Sequence, residues 1–205
     1  MALDTYANLQ TAIADWLNRG DLTSVIPDFI TLAETTIRRE VMTMDEETND
    51  NTLVTVASQE YVALPADFNK ARSLYIDKSP RVALKQVSLA TLREEYSEAV
   101  GVPAVFAIAR GRLYLAPTPN AVFNLDLHYY KFEALSGSVT TNSVLTKHPD
   151  LYLRLSLLEA ARYLSDRESV AYWNQLAQES LEGIKGYGEE IRSSEDGVIR
   201  SPFVY

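Results

Sequence analysis

The chain has 205 residues, 46% hydrophobic and 23% charged, an ordinary globular composition with enough length to bury a core. Its formal net charge is −9, and its densest basic spots are only Arg38-Arg39 and Arg110 with Arg112, which argues against a stable grip on a nucleic-acid backbone. No apolar run approaches the roughly 18 residues of a membrane span, MALDTYANLQ lacks the regions of a signal peptide, and the absence of cysteine excludes disulfide and thiol chemistry.

Residues 4 to 19 read as an amphipathic helix with Tyr6, Leu9, Ile13, Trp16 and Leu17 on one face, Asp4 as N-cap and Gly20 after the end. A second helix begins at Pro27 and carries Phe29, Ile30, Ala33, Ile37 and Val41 to about Thr43. The acidic stretch MDEETNDNT (44 to 52) reads as a loop. Short β-like runs follow at 53 to 58, 61 to 64, 71 to 77 and 81 to 87, and then one short helix over 88 to 99 with Ser88 as N-cap. PAVFAIA and RLYLA flank an Arg-Gly hairpin turn at 110 and 111. The longest strand is expected from Val122 to about Tyr130, with Phe123, Leu125, Leu127 and Tyr129 on a buried face and Asn124, Asp126 and His128 on a wet or half-covered one. A Ser/Thr-rich loop precedes Pro149, where a helix with a wide apolar face runs through Ser165. A last helix over 168 to 191 carries Val170, Trp173, Leu176, Ala177, Leu181 and Ile184.

The order is helix-helix, β-rich middle, helix-helix. Isolated helices of this length are marginal in water, so their apolar faces need one another. The expected fold is α+β: a four-helix bundle from both chain ends (1–43 and 147–191), an inserted β-rich sheet or sandwich domain (44–146) carrying one short helix, and a C-terminal tail (192–205).

A search for reaction chemistry returns little. The chain holds 2 histidines, His128 and His148, with no GxSxG elbow and no HExxH, so neither a nucleophile triad nor a zinc site is expected. The loop DEETND lacks the residue order and the glycine of a calcium loop. Glu94-Glu95 and Glu189-Glu190 are adjacent on helices, where neighbours diverge by about 100°, and so serve solvated faces rather than a common substrate. No phosphate-cradling glycine pattern occurs. No catalytic residue, metal or cofactor is expected. Tyrosine, used 12 times, is the remaining feature. It suits a protein interface or a core better than a base-stacking platform, because the aromatic strand near 129 has only Lys131 as a close cation.

Several longer segments carry a family likeness in their order and spacing. They are PDFITLAETTIRREV (27–41), LPADFNKARSLYID (64–77), GRLYLAPTPN with the LDLHYYKF strand, and NSVLTKHPDLYLRLSLLEAARYLSD (142–166). Through them the chain resembles the head-to-tail adaptor (connector) proteins of tailed bacteriophages, particularly short-tailed ones. The resemblance implies a structural virion protein: a twelve-fold ring between portal and tail, assembled in the host cytoplasm, through which DNA passes without specific binding. Its partners would be the portal protein, tail or nozzle proteins and further copies of itself, the free chain being monomeric, with no membrane involved. The segment that commonly reaches the portal would here hold Ile199, Arg200, Phe203, Val204 and Tyr205. Lateral contacts between subunits are expected at Arg38, Arg39, Tyr129 and Tyr130, and the lumen is assigned to Asp45, Glu46 and Glu47. Two other readings stay open: another tail component such as a tail-tube or tail-completion protein, and a virion-associated cell-wall hydrolase.

Overall fold

The computed structural model describes residues 2–41, 46–96 and 99–195, with side chains through residue 186. In chain order they form α1 (Tyr6–Leu17), a 3-10 turn (Gly20–Leu22), α2 (Ile26–Glu40), β1 (Glu47–Asp50), β2 (Tyr61–Ala63), β3 (Phe68–Ile76) and β4 (Val82–Gln86). Then come α3 (Leu89–Tyr96), β5 (Val100–Gly101), β6 (Val105–Ala109), β7 (Arg112–Ala116), β8 (Thr118–Pro119) and β9 (Leu125–Lys131). The chain returns to helix in α4 (Ser143–Lys147), α5 (Pro149–Tyr163) and α6 (Arg167–Glu195). The fold is thus mixed α+β, and it divides into two compact units: Met1–Asp45 with Glu133–Tyr205, and Glu46–Phe132.

In the helical unit, α5 is the central element and touches α1, α2, α4 and α6. Leu151, Tyr152, Leu153, Leu155, Leu157, Leu158, Ala160 and Ala161 are all buried along it, the pattern of a helix covered on most sides. Pro27 and Pro149 stand in the first turns of α2 and α5, where a missing N–H costs nothing. The caps of α1 differ from expectation. Thr5 is the N-cap and its Oγ1 accepts the Asn8 N–H at 3.3 Å, whereas Asp4 accepts the Asn8 side-chain amide. Asn18, at φ 48°, ends the helix in place of Gly20, because a short polar side chain tolerates the left-handed region. Trp16, expected in the core stripe, is 57% exposed.

The stretch before α5 is not a plain loop. Asn142 caps α4 by accepting the Leu145 N–H at 2.8 Å. In the division into units, residues 133–142 group with the helices. The Leu135 N–H donates to Glu34 and the Tyr6 N–H to the Thr140 carbonyl, which ties that stretch to α2 and α1.

In the second unit the strands form a seven-stranded sheet ordered β1-β9-β3-β4-β6-β7-β2 and a two-stranded pair β5-β8. The polar 44–52 stretch, expected as a loop, contains β1, whose Thr48 and Asn49 pair with Tyr129 and His128. An edge strand has one row of neighbours, so polar residues are tolerated there and backbone pairing overrides their low strand propensity. The apolar LVTVAS run makes only an isolated bridge, Val54 to Asn124, with the Thr55 hydroxyl donating to the Ala121 carbonyl and accepting the Phe123 N–H.

β4 and β6 are parallel, Lys85 opposite Val105, and α3 lies in the crossover that such a pair requires. Ser88 caps it, accepting the Thr91 N–H at 3.0 Å. β6 and β7 close a two-residue hairpin with Arg110 at φ 52° and Gly111 at φ 68°. The type I′ turn needs positive φ at both positions. β9 is covered on both faces: Leu125, Leu127 and Tyr129 join the core, and Asp126, expected on a wet face, is 4% exposed.

Candidate functional site

The polar cluster closest to a reaction centre lies on β9. Asp126 is buried and its Oδ2 sits 3.1 Å from Arg81 Nη1. Its Oδ1 is 3.5 Å from His128 Nε2 and makes no hydrogen bond. Ser73 stands opposite His128 in the β3–β9 register, and Tyr75 meets the His128 ring edge-on at 5.8 Å. An acid, an imidazole and a hydroxyl therefore share one sheet face. The nearest cation is turned to the acid, and no bond links the hydroxyl to the imidazole. This arrangement neutralises a buried carboxylate rather than activating a nucleophile, which needs a hydrogen-bonded relay.

Elsewhere His148 joins α4 to α5 and its backbone N–H donates to Val144. Glu94 and Glu95 are both exposed on α3; the side chains of Glu189 and Glu190 lie outside the described residues. Among the described residues no group of three or more His, Asp or Glu is placed to hold a metal, and no helix is long and apolar enough to cross a membrane.

The residues singled out for assembly are dispersed. Arg38 and Arg39 are exposed on the last turn of α2. Tyr129 and Tyr130, assigned to lateral contacts between subunits, are 5% and 7% exposed. The Tyr129 ring stacks on Phe68 at 5.6 Å and its hydroxyl donates to Asp67. Alternation places Tyr129 on the buried face, where it lies; Tyr130, on the other face, is buried as well because a strand between two partners in a curled sheet has little free face. Of the residues assigned to a lumen from sequence, Glu46 is buried, Glu47 pairs with Arg72, and Asp45 lies outside the described residues. So do Ile199, Arg200, Phe203, Val204 and Tyr205.

Two features escaped sequence reading. One is a buried polar network in the helical unit. Glu34, mid-helix in α2, accepts the Leu135 N–H at 2.7 Å and the Tyr152 O–H at 3.2 Å. Asn142 Nδ2 donates to Tyr152 and to the Glu133 carbonyl. Burial pushes the Glu34 carboxyl above the ordinary range despite those two hydrogen bonds. A lone Glu on an apolar stripe was the available signal. The other is an aromatic ladder, Trp16 edge-on to Trp173 at 5.6 Å and Trp173 to Tyr172 at 4.9 Å. It joins α1 to α6 and leaves Tyr172 58% exposed.

Among the described residues no catalytic or metal-binding arrangement accounts for the exposed aromatic ladder, and a family model gives the class of the chain, a phage adaptor. The family described as SU10 adaptor protein matches residues 4–201, across both units, and the chain belongs to that family. An adaptor is a virion component that contacts other virion components. No curated protein matches the chain.

Proposed function

We propose that this chain is the head-to-tail adaptor of a tailed phage, a ring of identical copies seated between the portal and the tail in the neck of the virion. The observation that carries this reading is the family match over 4–201, which spans both units. In it α1, α2, α5 and α6 act as one four-helix bundle formed by both chain ends, and the β-rich unit is an insertion that faces neighbours. The ring has twelve copies, and the free protein is a monomer in the host cytoplasm until the portal templates assembly.

The charge supports a conduit. At −9 per copy, a ring of such chains is a strongly acidic annulus, and an acidic lumen repels phosphate and lets DNA pass during ejection without trapping it. Arg38 and Arg39 serve the rim of the lateral contact, where opposite charges set register rather than affinity. The segment from Arg192 to Tyr205 docks on the portal and buries Phe203, Val204 and Tyr205. Each such side chain contributes about 1.5–3 kcal/mol when fully buried, and multivalency around the ring makes the attachment durable. Tail or nozzle proteins bind the opposite side.

Mixing the purified protein with isolated portal rings and weighing the products by native mass spectrometry tests this. A portal carrying a full ring of adaptors is expected, and deletion of 193–205 leaves a folded chain that no longer binds. A mixture in which portal and adaptor remain separate, or a truncated chain that still joins portals, contradicts the reading.

A further inference from the structure

Leu32 apart, the exposed large hydrophobic side chains of the described residues fall into two groups. The first lies in the β-rich unit, where Val54, Val56, Val100, Val102 and Val122 are between 40% and 67% exposed. The backbone brings them together. The Thr55 N–H donates to the Phe123 carbonyl and the Ser58 N–H to Pro119, while Val100 stands beside Thr118 in the β5–β8 pair. The three segments involved, 51–59, 99–109 and 113–125, hold no charged residue in a chain that is 23% charged.

The second group lies in the helical unit. It comprises the aromatic ladder of Trp16, Trp173 and Tyr172, and Tyr163, 60% exposed beside Phe29. Two ion pairs lie close to it in sequence, Arg19 with Asp21 at 2.6 Å and Arg162 with Glu159 at 2.5 Å, while Asp15 is exposed beside Trp16 and Glu168 is exposed one turn from Tyr172.

We infer that these two patches are the halves of one joint between copies, the valine fringe of one chain seated on the aromatic ladder of the next. This rests on the ring reading above and names its lateral contact. Each copy carries −9, so copies repel one another wherever their charged surfaces meet. The least costly approach is through the uncharged fringe and the aromatic ladder, where surface charge is absent or partly paired. Interface centres are depleted in charge and enriched in Tyr and Trp. β-Branched valines and aromatic rings also surrender little rotamer entropy when they are covered. The patches differ in chemistry and lie on different units. When a fringe meets a ladder, each pair of chains keeps one free fringe and one free ladder, which is the head-to-tail contact that can close into a ring.

The chain contains no cysteine, so single-cysteine variants report only the contact they are placed in. Val122→Cys and Tyr172→Cys sit at exposed positions and spare the cores. The mixed pair, treated with a short bismaleimide with and without portal rings, is expected to give cross-linked dimer about tenfold above either variant alone. The double variant is expected to give a ladder of multimers. Strong dimer from either single variant alone overturns the head-to-tail joint. A portal-bound ring without the mixed cross-link overturns the joint and leaves the adaptor reading intact. The mixed cross-link without a portal-bound ring keeps the joint and removes the ring reading. Neither product removes both.

Discussion

The Glu34 carboxylate and the Tyr152 hydroxyl meet at 3.2 Å between α2 and α5, although 118 residues separate them in sequence. A carboxylate in the interior of a helical core needs a reason to be there. Glu34 holds the Leu135 N–H just after the chain leaves the β-rich unit, two residues past the Glu133 carbonyl that Asn142 holds. The network through Asn142 then carries the same constraint to the start of α4.

Burial raises the Glu34 carboxyl above its unfolded value. Its stabilising contribution is therefore fully present below the unfolded pKa and is lost as pH rises through the folded pKa. Glu34→Gln keeps an acceptor for Leu135 without the charge. It should be at least as stable as the parent at pH 8, the gap narrowing as pH falls towards about 4. Glu34→Ala strands the Leu135 amide and should lose about 1–3 kcal/mol. Thermal unfolding of the variants at several pH values checks both statements, and a gap that does not change with pH contradicts the first.

Asn142 uses both ends of its amide, the oxygen on Leu145 and the nitrogen on Glu133 and Tyr152. Asn142→Ala loses a helix cap and a buried donor, about 2 kcal/mol together. Asn142→Asp keeps the cap, loses the donor and sets a second carboxylate near Glu34. It should be the less stable of the two at pH 7 and should recover most of the difference at acid pH. Urea titrations at the two pH values decide it.

The hairpin at Arg110-Gly111 offers a backbone test. A Cβ at Gly111 would meet nothing within 4 Å, so its substitution acts only through φ 68°. Gly111→Ala should cost about 1 kcal/mol, and Arg110→Asn, which suits φ 52° better, should gain about 0.5 kcal/mol. Equal effects at the two positions would mean that the turn's φ values do not control its stability.

Arg81 is 59% exposed while the Asp126 side chain it pairs with is 6% exposed. Arg81→Ala leaves the buried carboxylate without its cation and should cost about 1–2 kcal/mol, since solvent already screens the arginine. The double variant Arg81→Ala with Asp126→Val removes the stranded charge and should cost less than Arg81→Ala alone. Chemical denaturation of the two measures the difference, and a costlier double variant refutes the argument.

The local elements were legible wherever one residue or one short period decides them. Pro27 and Pro149 mark helix starts, Ser88 caps α3, Arg110-Gly111 makes the hairpin, and the 3.6-residue stripes place α1, α2, α5 and α6. What failed depended on neighbours. The acidic 47–50 stretch becomes a strand because β9 offers it a free edge, and the apolar 53–58 run does not because only Asn124 bridges it. Tyr130 and Asp126 are buried because β9 has strands on both sides and cover on both faces, which a period of two cannot reveal.

The sequence by itself determined the long helices, the hairpin, the acidity of the chain and its likeness to a phage adaptor, because propensity, capping and charge are properties of residues and their near neighbours. Only the tertiary structure decided that Glu34 would close on Tyr152, that Trp16 would leave the core for Trp173, and that five scattered valines would share one uncharged fringe. Those outcomes join residues tens to more than a hundred positions apart, and burial and pairing at that range are set by the whole packed chain.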